Sequence, residues 1–144
     1  MTRYLLDTNV ISNVTKPVPS PSLMAWLGAQ ADEDLFVASL TLGELWRGIL
    51  GKEPGRKRDE LEAWFAGPEG PQALFAGRIL PFEERAALRW GELIAAGYAA
   101  GRPRPPLDAI LAAIALVHGC VVVTDNERHF EGIEGLDILN PLRA

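Results

Sequence analysis

The chain is poor in cysteine and in histidine. Its single thiol, Cys120, cannot close an internal disulfide, and two histidines, His118 and His129, are a poor basis for a zinc centre. Cys120 sits in the apolar run Gly119-Cys120-Val121-Val122-Val123 and reads as a small buried hydrophobe, so nothing points to an oxidising compartment. Long apolar runs are scarce as well. The longest region, Ala109 to Val123, is interrupted by His118 and Gly119 and falls short of the ~20 residues that a membrane helix needs. The first ten residues place Arg3 and Asp7 around a short Tyr4-Leu5-Leu6 core, which is unlike a signal peptide. The expectation is a soluble, cytoplasmic protein with no membrane partner. An excess of positive charge is also missing: 14 basic against 19 acidic residues give −5, which argues against nucleic acid held by bulk electrostatics. No Gly-x-Ser-x-Gly elbow occurs, so hydroxyl nucleophile catalysis lacks support.

What is present is ordinary globular composition, with 48% hydrophobic and 23% charged residues over 144 positions, enough for one compact domain spanning residues 1–144. Arg3-Tyr4-Leu5-Leu6 reads as a buried strand stopping at Asp7, and Thr8 to Val14 as a short helix ended by a proline-rich loop. A second helix carries Leu23, Met24, Trp26 and Leu27, and Leu35-Phe36-Val37-Ala38 forms a second strand. Leu42, Leu45, Trp46 and Ile49 recur at helical spacing and predict one buried face. Leu61, Trp64 and Phe65 mark another helix, Ile79-Leu80 a short strand, and Glu83 to Ala100 a long helix with Leu88, Leu93 and Ile94 on its apolar positions. Pro105-Pro106 opens a helix to His118 that is apolar on nearly every face and therefore belongs deep in the domain. Val121-Val122-Val123-Thr124 fits a central parallel strand and Asp137-Ile138-Leu139 an edge strand. Strands separated by helices imply an α/β fold: a three-layer α/β/α domain with a mostly parallel central sheet. In such sheets ligands sit beyond the carboxyl ends of the strands.

Four acids collect where that rule points. Asp7 ends the first strand, Glu44 lies one turn into the helix after the second, Asp108 opens the buried helix, and Asp125 follows the Val121–Thr124 strand. Each has a plainer explanation when taken alone. Asp7 can cap the following helix, Asp108 complements a helix dipole, and Thr41–Glu44 and Thr124–Glu127 match the capping-box spacing. Together they are harder to dismiss. Carboxylates crowded at low dielectric need protons or a cation, and an oxygen-only ligand set suits Mg²⁺ or Mn²⁺. A site of that kind activates water and neutralises charge on a phosphoryl group, as phosphodiester hydrolysis requires. Two other acid chemistries fit less well. An aspartyl-nucleophile phosphatase needs a second acid where Asn9 stands, and a receiver domain needs an early acidic pair and a late lysine, neither of which occurs.

The charge is unevenly spread. Between Arg47 and Arg58 five basic residues (Arg47, Lys52, Arg56, Lys57, Arg58) face one acid, Glu53, and a smaller basic stretch holds Arg102 and Arg104. Setting aside four clustered acids also reduces −5 to −1. Arg47, Arg56, Lys57, Arg58, Arg102 and Arg104 are thus candidates for an RNA-facing rim, although solvated helix and loop charge accounts for either patch alone.

With these residues in hand, the chain resembles a PIN-domain ribonuclease of the VapC-like toxin type. The resemblance rests on Leu5-Leu6-Asp7-Thr8-Asn9-Val10-Ile11-Ser12, Ser39-Leu40-Thr41-Leu42-Gly43-Glu44-Leu45, Pro106-Leu107-Asp108-Ala109 and Val123-Thr124-Asp125-Asn126, in order and spacing, then His129-Phe130 and Leu139-Asn140-Pro141. It implies Mg²⁺- or Mn²⁺-dependent RNA cleavage, a homodimer, and a cognate antitoxin that inserts a segment near the acidic pocket. Asp7, Glu44 and Asp108 carry over as metal-holding, water-activating acids, with Asn9 and Thr124 orienting them. At the fourth position many relatives have the acid two residues after the threonine, where this chain has Asn126. Either Asp125 substitutes, the preferred reading, or Asn126 contributes a neutral oxygen. A protein-binding module that has lost catalytic competence and a structure-specific DNA nuclease are the competing functions; the latter would need a larger basic track.

Overall fold

The computed structural model describes residues 1–143. Its centre is one five-stranded sheet: β1 (Arg3–Leu6), β2 (Leu35–Ala38), β3 (Ile79–Leu80), β4 (Cys120–Val123) and β5 (Ile138–Leu139). The spatial order is β3-β2-β1-β4-β5 and every neighbouring pair is parallel. Short runs rich in Val, Leu and Ile suit strands buried on both faces. Alternate residues feed opposite cores. Leu5, Ala38 and Val122 join one cluster, whereas Leu6, Val37 and Val123 join the other. Each fully buried Val, Leu or Ile in these clusters contributes ~1.5–3 kcal/mol relative to exposure.

Among the described residues, seven α-helices cover the two faces. One face is covered by α6 (Glu84–Ala99) and α7 (Pro106–His118), through residues such as Leu93, Leu111 and Ile114. On the other lie α1 (Thr8–Val14), α2 (Pro21–Ala29), α3 (Ser39–Leu50), α4 (Arg56–Ala66) and the single turn α5 (Pro71–Leu74). Val10, Leu23, Leu45, Ile49 and Phe65 pack there. As its composition predicts, α7 is the most deeply set helix, with Ala109 and Leu111 to Ala115 all buried. Pro106 starts it, and Gly119 ends it at φ 66, a left-handed cap that glycine adopts without strain and that turns the chain straight into β4.

Three expectations about packing need correcting. Trp46, assigned to the buried face of α3, is 37% exposed, because Thr41, Leu45 and Ile49 form the stripe that meets the sheet. Leu88 is 68% exposed on α6, and Leu107 stands out at the first turn of α7, before the helix passes under its neighbours. No capping box forms at Thr41 either, since α3 starts directly after β2 with Ala38 as its cap, and the fully buried Thr41 hydroxyl has no partner among the described residues.

The topology fixes where a ligand can enter. From β1 the chain winds outward through β2 to β3, then returns to β4 on the other side of β1. Where connections leave in opposite directions, the carboxyl ends of the two strands open a crevice. Asp7 follows β1 at that point and Thr124 follows β4, and the Asp7 amide extends the ladder by donating to the Val123 carbonyl at 2.9 Å. Among the described residues no helix is long and apolar enough to cross a membrane.

Candidate active site

Asp7 is the most constrained acid of this crevice. It is only 5% exposed, and its carboxylate caps α1 by accepting the Thr8 amide at 2.7 Å on Oδ1. Oδ2 accepts the Thr124 hydroxyl at 2.8 Å and the Asn9 side-chain amide at 3.2 Å. Three donors occupy most of the roughly four lone-pair positions that a carboxylate offers. Burial pushes the Asp7 carboxyl up to about 6, the Thr124 and Thr8 hydrogen bonds pull it down, and the nearby Asp108 and Glu44 charges push it up again. An acid pressed this way is stabilised as an anion by positive charge.

Asn9 and Thr124 hold two elements together around it. The Asn9 carbonyl oxygen accepts the Asp125 amide at 3.0 Å, while the fully buried Thr124 hydroxyl accepts the Asn126 amide at 2.9 Å. The start of α1 and the turn after β4 are thereby stapled across the switch point. This bonding also replaces the capping box expected at Thr124, since the hydroxyl is spent on Asp7 and Asn126.

A cleft of about 410 Å³ opens above Asp7, and Glu44, Asp108, Asp125, Asn9 and Asn126 all line it. The four acids, drawn from residues more than a hundred positions apart, share one space. Each outer acid has a partner of its own. Glu44 Oε1 accepts the Thr8 hydroxyl at 2.7 Å, Asp108 Oδ2 lies 2.6 Å from His129 Nδ1, and Asp125 Oδ1 accepts the Asn140 amide at 3.3 Å. Among the described residues no three His, Cys, Asp or Glu side chains are gathered tightly enough to hold one ion. Like charges repel, and these acids settle on separate donors around the wall. The donor chemistry nevertheless fits a hard divalent cation, with four carboxylates and three side-chain amides lining one cleft and no sulfur among them.

The basic candidates meet different fates. Arg56 and Arg58 pair along α4 with Glu60 at 3.2 Å and Glu62 at 3.4 Å. Arg102 and Arg104 donate to the backbone carbonyls of Arg128, His129 and Glu131, clasping the turn that carries His129. Neither arginine pair lines the acid cleft, so these positions of the expected rim hold the scaffold and do not stand beside the acids. Arg47 is exposed on α3, one turn past Glu44, and Lys57 faces a neighbouring groove.

Sequence reasoning overlooked Thr8, Asn140 and the partnership of His129 with Asp108. Thr8 offered one signal, an adjacent hydroxyl in the first turn after Asp7. The other two pairs join residues 15 and 21 positions apart, which no local pattern reveals.

Residues 4–136 match the PIN domain family. The chain belongs to that family. Among relatives of this PIN domain, the VapC ribonuclease Y4jK of Sinorhizobium fredii is 36% identical over 137 residues, covering 95% of this chain and 96% of the relative. Toxin FitB of Neisseria gonorrhoeae is 33% identical, covering 95% of this chain and 96% of its own length. Among solved structures, that of FitAcB from Neisseria gonorrhoeae superposes on this PIN domain with a TM-score of 0.90 at 31% identity, covering 98% and 99% of the two chains. The parallel sheet and its helical layers are therefore those of the family.

Proposed function

We propose that this PIN domain is a ribonuclease that hydrolyses RNA phosphodiester bonds with Mg²⁺ or Mn²⁺, and that it serves as the toxin of a toxin–antitoxin pair. One observation carries the reading: Asp7, Glu44, Asp108 and Asp125 line a single cleft at the switch point of the sheet. The names borne by its relatives, a VapC ribonuclease and the toxin FitB, point the same way.

Asp7 and Asp108, with Glu44 and Asp125, would hold a divalent ion, which when bound would offset phosphate charge and lower the pKa of a nearby water. The chain's residues supply the rest. Thr8, Asn9 and Thr124 fix the Asp7 carboxylate at the floor of the cleft. Thr8 commits Oε1 of Glu44, which leaves Oε2 to accept a proton from water. His129 holds one oxygen of Asp108, which lines the cleft, and leaves the other uncommitted by that contact. Asn126 lines the wall beside Asp125, the acid preferred for the fourth position.

Protein partners, an antitoxin and a second copy of the chain, belong to the same proposal. An apolar cleft of about 390 Å³, lined by Val10, Met24, Leu27, Leu74 and Phe75 among others, supports protein contact on the α1–α2 side.

The test is cleavage of matched single-stranded RNA and DNA by the purified chain in Mg²⁺, Mn²⁺ and EDTA. RNA cleavage that requires the ion and is lost in folded Asp108→Asn is the expected result. Equal cutting by parent and variant would overturn the assignment. Absence of both ion uptake and cleavage would favour a binding module, and preference for DNA a different nuclease.

A further inference from the structure

The chain contains three lysines, Lys16, Lys52 and Lys57, and the fold brings all three to one groove. This groove, about 340 Å³, runs between the end of α1 and the facing sides of α3 and α4. Ser12, Lys16 and Glu44 line both it and the acid cleft, so the two spaces are continuous. Glu44 is its single acid, at the end where the cleft begins.

The lysines differ from the neighbouring arginines. Arg56, Arg58, Arg89, Arg102 and Arg143 each sit beside a glutamate, whereas among the described residues none of the three lysines forms a salt bridge. All three are exposed. Helical spacing puts Lys57, Leu61 and Trp64 on one face of α4, so a half-buried indole lies along the wall that carries a free ammonium. Unpaired cations that follow a channel beside an aromatic side chain are the pattern that binds a single-stranded nucleic acid, the charges tracking phosphates and the ring stacking on a base. An acid cleft repels a polyanion, and a flanking basic track offsets that repulsion on one side of the reacting phosphate.

We infer that the Lys16–Lys52–Lys57 groove is the track for the RNA strand flanking the scissile phosphate, with Trp64 as a stacking surface. This inference rests on the ribonuclease reading and adds to it the path by which substrate reaches the acids. Lys52 and Lys57, which line the groove and not the acid cleft, act on binding and leave the chemical step alone.

The experiment compares three proteins with the parent: Lys52→Gln/Lys57→Gln, Gly48→Glu and the charge-matched control Arg85→Gln/Arg89→Gln on α6. Gly48 lines the groove, and a Cβ added there meets nothing within 4 Å, so a glutamate brings negative charge into the track without crowding the helix. Steady-state cleavage of a labelled single-stranded RNA of mixed sequence is followed in Mn²⁺, and binding of the same RNA is measured in EDTA over a range of salt. The lysine pair and Gly48→Glu are expected to raise KM about tenfold with kcat within about twofold, and the lysine pair to lower the salt slope by about 0.7 per lysine removed. The α6 control is expected to match the parent. A parent that cleaves RNA while the groove variants keep its KM and salt slope would overturn the track alone and leave the lysines to an acidic protein segment. A parent that neither binds nor cleaves RNA would sink the ribonuclease reading and the track with it.

Discussion

The inner wall of the acid cleft and its outer edge are built differently. On the inner wall Asp7 is buried and receives three hydrogen bonds, from Thr8, Asn9 and Thr124. At the outer edge Asp125 is exposed, and it, Asp108 and Glu44 each accept one bond from a side chain that can rotate with them. The inner acid is set by the backbone geometry of the switch point, because its donors belong to the first turn of α1 and to the end of β4. The outer acids are set by loop and helix surface, and adjust more readily. On the proposed reading such a site would offer an ion one fixed ligand position and several adaptable ones.

Asp7→Asn breaks the inner wall and gives the largest effect. Cleavage falls about a thousandfold, equivalent to ~4 kcal/mol of barrier, in single-turnover assays on a variant whose circular dichroism matches the parent. The same substitution removes a pH dependence of stability that the parent carries. With the Asp7 carboxyl raised from 3.8 to about 6 in the fold, the native state holds its proton over a range in which the unfolded chain has lost it. Parental stability in EDTA therefore falls as pH rises from about 4 to about 6, by up to about 3 kcal/mol relative to Asp7→Asn. Denaturant titrations of both proteins at several pH values read this directly, and parallel pH profiles would remove the buried-charge argument.

Thr124→Val probes the same wall more gently. It leaves Asp7 Oδ2 and the Asn126 amide without their hydroxyl partner, for a stability loss of about 1–3 kcal/mol and a cleavage loss of about 10–100-fold. His129→Ala tests the outer edge through Asp108 and is expected to cost about tenfold in cleavage, with stability within about 0.5 kcal/mol of the parent. Asp125→Asn, at the most exposed acid, is expected to have the smallest effect, about tenfold or less. If His129→Ala or Asp125→Asn proved as damaging as Asp7→Asn, the distinction between fixed and adaptable acids would fail.

The same contrast explains what could be read from the sequence. The strands showed as short apolar runs and the longer helices as apolar stripes or all-round apolar stretches, and Asp7 stood out because it ends a buried strand and opens a helix. Asp108 was visible for a similar reason, just after Pro105-Pro106. The outer-edge pairings stayed hidden. Thr8 meets Glu44 across 36 residues and His129 meets Asp108 across 21, so each contact depends on how helices dock on the sheet. Capping spacing misled at Thr41, because whether a threonine caps depends on where the helix begins, and here β2 runs into α3 two residues earlier. The arginines misled in another way: charge in sequence says nothing of which carbonyl or carboxylate a side chain will find. Arg102 and Arg104 found the His129 turn, while among the described residues the lysines found no carboxylate.

Manganese uptake by the purified chain, followed by calorimetry or electron paramagnetic resonance beside Asp7→Asn, bears most directly on the cleft. Saturable binding by the parent that weakens as pH drops below about 6, with little uptake by the variant, is the expected outcome. Equal uptake by both proteins at all pH values would contradict a cation held by the buried acid.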